Sequence, residues 1–419
     1  MTEIAKEHRL KLGLIRKCKE RTFKENLGLL FLNLLLTVAL LATPFIYIAW
    51  RGASRNVPNA NKQPWIKFND DPSTSACIAW ESKENTTSWV QYGLDPGNLD
   101  ENQTVIGFSG FMHVVNLTGL TPNSKYYYQV GYTEQPGGAF IPHVFGDIWH
   151  FWTAPATTDV PFSFLAISDT QESALGMHHH NRVARALARY KDDARFIING
   201  GDVANYGQEQ DSWDLFFKCA RPYSPCIPFA FTLGNHDDMG TNQPMYRKYF
   251  SFNDPGEPLY YSFNYSMLHF VSIPIPWGNP SEFTKFGFMS WLEDDLNKSK
   301  DMKYKLVTFH CPLLSSGFFG RNRFLEENLH PLLDEYNVTL VISGHSHHYE
   351  RCYMDGITYM VAAGGGGLMD PCHHRLPETQ LVASHPHYLK IDCTTSNLTV
   401  SALTPDGVLF DQAVLGGIA

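Results

Sequence analysis

Two aspartates, one asparagine and three histidines follow directly on short apolar runs, and together they offer enough oxygen and nitrogen to hold two divalent cations. The run 162–167 ends at Ser168 and Asp169. The run 196–199 ends at Gly200, Gly201 and Asp202. The run 229–233 leads into Gly234, Asn235, His236 and Asp237, 306–309 into His310, and 338–342 into Ser343, Gly344, His345, Ser346 and His347. Carboxylate, amide and imidazole donors in one set suit Fe, Mn or Zn and do not choose among them.

Runs of this length, rich in Val, Ile and Phe and stopped by Gly or Asp, predict buried strands. In open α/β sheets, ligands sit outside the carboxyl ends of the strands, so the six donors are expected on one rim. Helical patterns are expected between the strands at 181–190, 288–296 and 326–336, with Pro331 in the first turn of the last one or splitting it. From 357 onward the pattern returns to strands, at 357–362, 388–392 and 398–403.

Ahead of this α/β part, residues 64–155 read as all β. Alternating stretches at 76–80, 88–92 and 125–130 are separated by turn clusters such as 95–98 and 134–138. Their spacing suggests a β-sandwich beside the α/β part. The stretch 115–130 resembles the end of a fibronectin type III-like module, in which a Leu-Pro turn precedes a Tyr-rich strand.

A hydrophobic fraction of 43% and a charged fraction of 18% describe a folded chain, and a net charge of −9 argues against a nucleic-acid partner. Residues 27–50 carry no charge and are long enough to cross a bilayer. Lys6, Arg9, Lys11, Arg16, Lys17, Lys19, Arg21 and Lys24 precede them, and only Arg51 and Arg55 follow nearby. The expectation is a basic cytosolic tail (1–26), an uncleaved signal anchor (27–50) and a stalk (51–63), giving a single-pass type II membrane protein with its body extracellular or lumenal. A cleaved signal peptide is the rival, but its apolar core is usually ~7–15 residues. Asn-x-Ser/Thr sequons at Asn85, Asn102, Asn116, Asn264, Asn297, Asn337 and Asn397 agree with a lumenal body. Of eight cysteines, seven lie beyond the anchor. Cys219 with Cys226, and Cys352 with Cys372, are near enough in sequence to suggest bridges. Cys311 reads as a buried small residue.

Taken in order, Asp169, Gly201-Asp202, Gly234 to Asp237, His310 and Gly344 to His347 resemble the five-block signature of the calcineurin-like metallophosphoesterases. The preceding β module, and the extension through Tyr349 to Arg351, look most like the purple acid phosphatase branch. The resemblance spans roughly residues 162–367 of the catalytic part, 160–419. It implies a four-layer-type β-sandwich flanked by helices and a dinuclear centre of Fe, Zn or Mn. Asp202 would bridge the two ions, Asp169 and His347 would bind one, and Asn235, His310 and His345 the other. His236 would be the general acid, with bridging hydroxide attacking a phosphoester. Two cations neutralise the phosphoryl charge and generate hydroxide at moderate pH.

Two positions depart from the branch. Three residues after Asp202, where purple enzymes carry an iron-binding tyrosinate, stands Asn205, and Tyr206 comes one place late. Asn205 is expected to orient His236 weakly or to act as an amide ligand, and the protein is expected not to be purple. Gln171 stands where other members have His or Gly, and is expected to coordinate weakly or to support a ligand from behind. His348 and Arg351 are candidates to reach substrate. The tract His178 to His180 reads as a solvated helix start, and His373, His374, His385 and His387 as loop residues. Gly364 to Gly367 lacks the Lys-Ser/Thr of a phosphate cradle and reads as a turn near the site.

The expected substrate is a phosphorylated small molecule or phosphoprotein, cleaved as a phosphomonoester. Alternatives are a phosphodiesterase or nucleotide pyrophosphatase, or a non-catalytic glycosylated ectodomain.

Overall fold

Successive residues of each apolar run face opposite sides of a sheet, and both sides are buried. This is why the runs are apolar throughout rather than alternating. Phe164, Ala166, Phe196 and Ile198 enter a core that also takes Phe270, Leu306, Leu340 and Ile342. Their neighbours Leu165, Ile167 and Ile197 pack instead on Val183, Leu187, Trp213 and Phe216. Val271, Val307 and Val341 pack on Leu292, Leu296, Leu325 and Leu333. Two sheets thus face each other across one core, and each is covered outside by helices. Truncating a central residue such as Phe164 to Ala would cost about 3–5 kcal/mol.

The computed structural model describes residues 61–68, 71–132, 139, 141–142, 147–171, 180–240, 243–251, 258–372 and 374–417. The basic tail and anchor segment lie outside these, as do most of the stalk, Asp70 and the histidines His178, His179 and His373. Residues 56–419 form one compact unit.

The strands of the N-terminal module are β1 (Lys62–Lys67), β2 (Ser75–Gly93), β3 (Glu101–Thr118), β4 (Lys125–Tyr132), β5 (Ile141–Pro142) and β6 (Trp149–Trp152). There follow β7 (Phe162–Ile167), α1 (His180–Leu187), β8 (Ala194–Asn199), α2 (Gln210–Ala220), β9 (Phe229–Phe231), α3 (Pro244–Phe250), β10 (Tyr261–Tyr265) and β11 (Leu268–Ser272). Next come α4 (Pro280–Phe286), α5 (Met289–Lys298), β12 (Tyr304–Thr308), α6 (Arg323–Asn328), α7 (His330–Glu335) and β13 (Leu340–Ser343). The last strands are β14 (Tyr349–Met354), β15 (Ile357–Ala362), β16 (Thr379–Ala383), β17 (Tyr388–Cys393), β18 (Leu398–Leu403) and β19 (Leu409–Leu415).

One sheet runs β19-β18-β17-β7-β8-β9-β1-β2-β4-β5, and the other β10-β11-β12-β13-β15-β14-β16. The pairs β7–β8, β8–β9, β11–β12, β12–β13 and β13–β15 are parallel. Five donor-bearing loops therefore leave the carboxyl ends of β7, β8, β9, β12 and β13. Pro331 divides the helix expected at 326–336 into α6 and α7 and sits in the first turn of α7, because it lacks the N–H that a continuous helix needs.

The N-terminal module does not merely pack beside the α/β part. Strand β1 pairs with β2 and also, through Lys67 and Phe229, with β9, so one sheet passes through both. β1 begins at Lys62, so the last two residues assigned to the stalk belong to the sheet. A buried ionic cluster sits at the seam: Lys62 pairs with Glu81 and with Asp214 (2.5 Å), and Lys248 pairs with Glu81 (2.5 Å). Two cations balance two carboxylates there, which removes the penalty of a lone buried charge.

The seven cysteines from Cys77 to Cys393 are free thiols. The bridges suggested for Cys219 with Cys226 and for Cys352 with Cys372 are not formed. Cys352 points instead at Glu350 Oε1 (3.4 Å) and Thr379 Oγ1 (3.7 Å).

Candidate metal centre

Three of the five donor loops leave their strands through backbone that most residues avoid. Asp169 (φ 57°), Asp202 (φ 52°) and His345 (φ 68°) all occupy the left-handed region, at a cost of about 1–2 kcal/mol each. Such conformations persist where the surrounding fold over-determines them, often at functional sites. Here the loops are tied to one another. Asp169 N donates to Gly201 O (3.0 Å), Gln171 N to Asp202 O (3.1 Å), Gly344 N to His310 O (2.8 Å) and Gly367 N to Asp169 O (3.0 Å). Two glycines are dictated by closeness. A Cβ on Gly234 would fall on the Asp202 amide and carboxylate, and one on Gly344 would fall on Ser168 Oγ and Asp169 Oδ2.

Asp169, Asp202 and His310 each turn one donor atom inward, all within 4.8 Å of one another. His310 Nε2 lies 3.3 Å from Asp202 Oδ1 and 3.0 Å from Asn235 Oδ1. His345 Nδ1 approaches the same Asn235 oxygen at 2.7 Å. On the other side His347 Nε2 is 3.3 Å from Asp169 Oδ1. The main-chain N–H of His345 donates to both oxygens of Asp169 (3.0 Å each). Contacts therefore link all six donors.

The ring tautomers test whether a cation fits. Nδ1 of His310 donates to Gly200 O (2.8 Å) and Nδ1 of His347 to Leu368 O (2.8 Å). A neutral ring then directs the lone pair of Nε2 at carboxylate and amide oxygens, which repel it unless positive charge lies between. Protons answer that demand in the metal-free protein. Burial would lower both histidines, but Asp202 outweighs it for His310 and Asp169 for His347, and each is pushed up to about 9. Burial would likewise raise Asp202, yet the charge and hydrogen bond of His310 hold it below the usual carboxylate range. His345 falls to about 4 through burial and then the charge of His310. A buried set that draws protons in this way matches what a bound cation replaces.

His236 sits at the open edge. Its main-chain N–H donates to Asp202 Oδ1 (2.8 Å) and its Nδ1 to the main-chain oxygen of Asn205 (2.6 Å). Nε2 is left 3.9 Å from Asp202 Oδ2, on a side chain that is 31% exposed.

Residues 162–349 match the family Calcineurin-like phosphoesterase, and residues 62–153 match the Purple acid Phosphatase N-terminal domain. The chain thus carries a calcineurin-like phosphoesterase domain behind a purple acid phosphatase N-terminal domain. Purple acid phosphatase 18 of Arabidopsis thaliana is 23% identical over 348 residues, which cover 77% of this chain and 70% of that protein. Phosphoenolpyruvate phosphatase of Allium cepa is 25% identical over 337 residues, 72% of this chain and 65% of that one. The chain thus spans about two thirds of the length of these relatives. A purple acid phosphatase from yellow lupin (Lupinus luteus) seeds shares the fold, with a TM-score of 0.69 at 18% identity over 86% of this chain and 75% of that one. Centres of this family are dinuclear.

Several residues of this phosphoesterase lie elsewhere than expected. Asn205 orients His236 with its main-chain carbonyl, not with its amide side chain. Arg351 does not reach the centre, because Asp411 on β19 holds it by two bonds (2.7 and 3.0 Å). His348 is buried and bonded to Glu350 Oε2 (3.0 Å), which turns it into the protein rather than toward substrate. Gln171 places its amide nitrogen 3.1 Å from Asp202 Oδ2 and 3.3 Å from His347 Nε2, a supporting position behind the ligands. His180 is buried, not solvated, and bonds Gly365 O (2.9 Å). His387 is buried against the main chain of His385. Burial pushes the Cys311 thiol up to about 12, so it is inert.

Two acids carry structure that the sequence reading missed. Asp237 accepts from Val203 N (3.0 Å), Ala204 N (3.2 Å) and Gly234 N (3.0 Å), clamping the second and third loops together. Burial, then the charge of Asp202, pushes it up to about 7. Its place inside the Gly-Asn-His-Asp block was the available signal. Glu350 holds His348, Ser316 and Thr379 at once.

Proposed function

We propose that the protein hydrolyses phosphomonoesters by direct displacement, without a covalent intermediate on the chain. The observation that carries this reading is the place of Asp202. This one buried carboxylate meets His310 and the main-chain N–H of His236 through Oδ1, meets through Oδ2 the Gln171 amide that also approaches His347, and offers a donor atom within 4.8 Å of one from Asp169, so it lies between the two halves of the donor set. Asp202 would be the shared ligand of two Fe, Zn or Mn ions. Asp169 and His347 would complete one side, and Asn235, His310 and His345 the other. Bound cations supply neutralisation of the phosphoryl charge and a water of lowered pKa. His236 does the chain's own proton work. Asn205 O fixes Nδ1 as a donor and aims Nε2 at the open edge. Protonated there, Nε2 delivers its proton to the departing alkoxide.

Metal analysis together with paired substrates tests the reading. About two ions per chain are expected, with p-nitrophenyl phosphate turned over faster than its bis-ester. A faster diester would favour the phosphodiesterase reading, and well under one ion per chain would favour a binding ectodomain. Loaded with iron, the protein is expected to lack a visible tyrosinate band, since Asn205 stands at the tyrosine position.

The same proposal places the body in the secretory pathway, anchored through residues 27–50, which lie outside the described residues. Among the described residues, no helix is long and apolar enough to cross a membrane. The basic run before 27 supports the orientation, and Asn85, Asn116, Asn264, Asn297 and Asn337 are exposed as glycan acceptors must be. Treatment with an N-glycosidase should sharpen and speed the band on a gel, and unchanged mobility would sink the lumenal placement.

A further inference from the structure

Exposed apolar surface is concentrated beside the metal centre. Of the ten large apolar side chains exposed among the described residues, four, Trp277, Phe318, Phe319 and Leu368, belong to the loops around it. Phe318 is 90% exposed, Phe319 52% and Trp277 50%. The Phe319 ring lies 4.0 Å from that of His345, and Trp277 lies 6.4 Å from the same ring at 74°. Phe318 meets Phe319 edge-on at 5.5 Å. Leu368 gives its carbonyl to His347 Nδ1. These residues come from three loops, after β11, β12 and β15. Single exposed apolar residues need no explanation, but a group gathered from three loops on two donor histidines does.

The backbone beneath this wall is built, not loose. Ser316 N and Oγ donate to the two oxygens of the buried Glu350 (2.6 Å each), and Gly317 N donates to Ser315 Oγ (3.0 Å). On the opposite loop, Trp277 N and Gly278 N donate to the two oxygens of the buried Glu282 (2.7 and 2.8 Å). A buried carboxylate therefore anchors each aromatic-bearing loop. Arg321, next along the Phe318–Phe319 loop, is engaged by Glu326 and Glu378, so ring faces and not this cation meet the substrate.

We infer that the wall is the subsite for the alcohol of the substrate, and that this alcohol carries a planar aromatic ring within a bond or two of the ester oxygen. The inference rests on the phosphomonoesterase reading above. Beyond its phosphoryl group a monoester has only its alcohol, so no other part of the substrate can meet apolar surface at the site. Rings stack offset or edge-on against such a wall, and each good pair adds to simple burial.

The full chain tests this with benzyl phosphate and ethyl phosphate, whose alcohols are of similar acidity, and with the corresponding non-hydrolysable phosphonates. Benzyl phosphate should show a KM about tenfold lower at similar kcat. Benzylphosphonate should quench Trp277 fluorescence, and ethylphosphonate should not. Phe318→Ala should reduce the preference several-fold, and Phe318→Tyr should keep it. Equal KM values for the two esters, or a Phe318→Ala variant that weakens both alike, would overturn the subsite. If neither ester turns over while benzylphosphonate still quenches selectively, the wall stands and the hydrolytic reading falls.

Discussion

The two halves of the metal centre are built differently. On one side Asn235, His310 and His345 are all buried and in mutual contact, and a main-chain carbonyl fixes the His310 ring. On the other, only Asp169 and His347 offer donors, the His347 side chain is 21% exposed, and the third neighbour is the amide nitrogen of Gln171. On the proposed assignment, the contrast teaches that an enclosed ion and an open ion would share one carboxylate. The chain would supply most ligands of the first and leave more of the second to water and substrate.

Replacing the shared carboxylate should erase the contrast. Asp202→Asn is expected to lose both ions and to lower kcat on p-nitrophenyl phosphate by at least about 10³-fold, while the near-UV dichroism stays native. Activity within tenfold of wild type would remove Asp202 from its bridging place. His236→Gln should cost about 10²–10⁴ in kcat while both ions remain. A loss of metal in that variant would mean that His236 holds an ion rather than a proton.

Gln171→Ala sharpens the comparison, because apart from the shared Asp202 it touches only the open half. Removing a partner behind a ligand typically costs 10–100-fold in metal affinity. Chelator titration should then release one ion about that much earlier and leave the other where it was. Simultaneous release of both would show that the halves are not independent.

Acid should also act beside the open half. Burial pushes His180 to about 4, against a weaker pull from its bond to Gly365 O. Gly365 N in turn donates to Ser168 O (3.0 Å), beside Asp169. A buried histidine with a lowered value stabilises the fold fully above about 6.5, and loses that contribution as pH falls toward 4. The whole effect is of order 3 kcal/mol at most. His180→Gln should flatten the dependence of Tm on pH between those limits, and an unchanged slope would acquit His180.

What could be read in advance was local. An apolar run followed by Gly, Asp or His announces a buried strand and its loop within ten residues, so the five strands and six donors stood out. Partners far along the chain did not. Arg351 carried no sign of Asp411 sixty places on, and nothing in Lys67 announced its pairing with Phe229. The sulfurs of Cys219 and Cys226 are near in sequence and both buried, yet they do not bond, and Cys226 faces His150 instead. Side-chain identity also misled where the main chain does the work, and Asn205 is the clearest case.

Asn205 stands where the resemblance leads one to expect an iron-binding tyrosine, so its side chain invites a functional role. Yet the atom that holds His236 Nδ1, at 2.6 Å, is the carbonyl oxygen that every residue possesses. The loop that presents it is set by Gly207 N donating to His236 O (3.0 Å) and by Asp237 accepting from Val203 and Ala204, none of which uses the Asn205 amide. Asn205→Ala should therefore change kcat by less than about twofold, since the acid's orienting bond is kept. The same substitution should leave metal content unaltered in both halves. Asn205→Pro is the informative contrast. It keeps the carbonyl but restrains the backbone that aims it, so a large loss there beside a silent alanine would assign the orienting role to the main chain. A tenfold loss in the alanine variant would return that role to the amide.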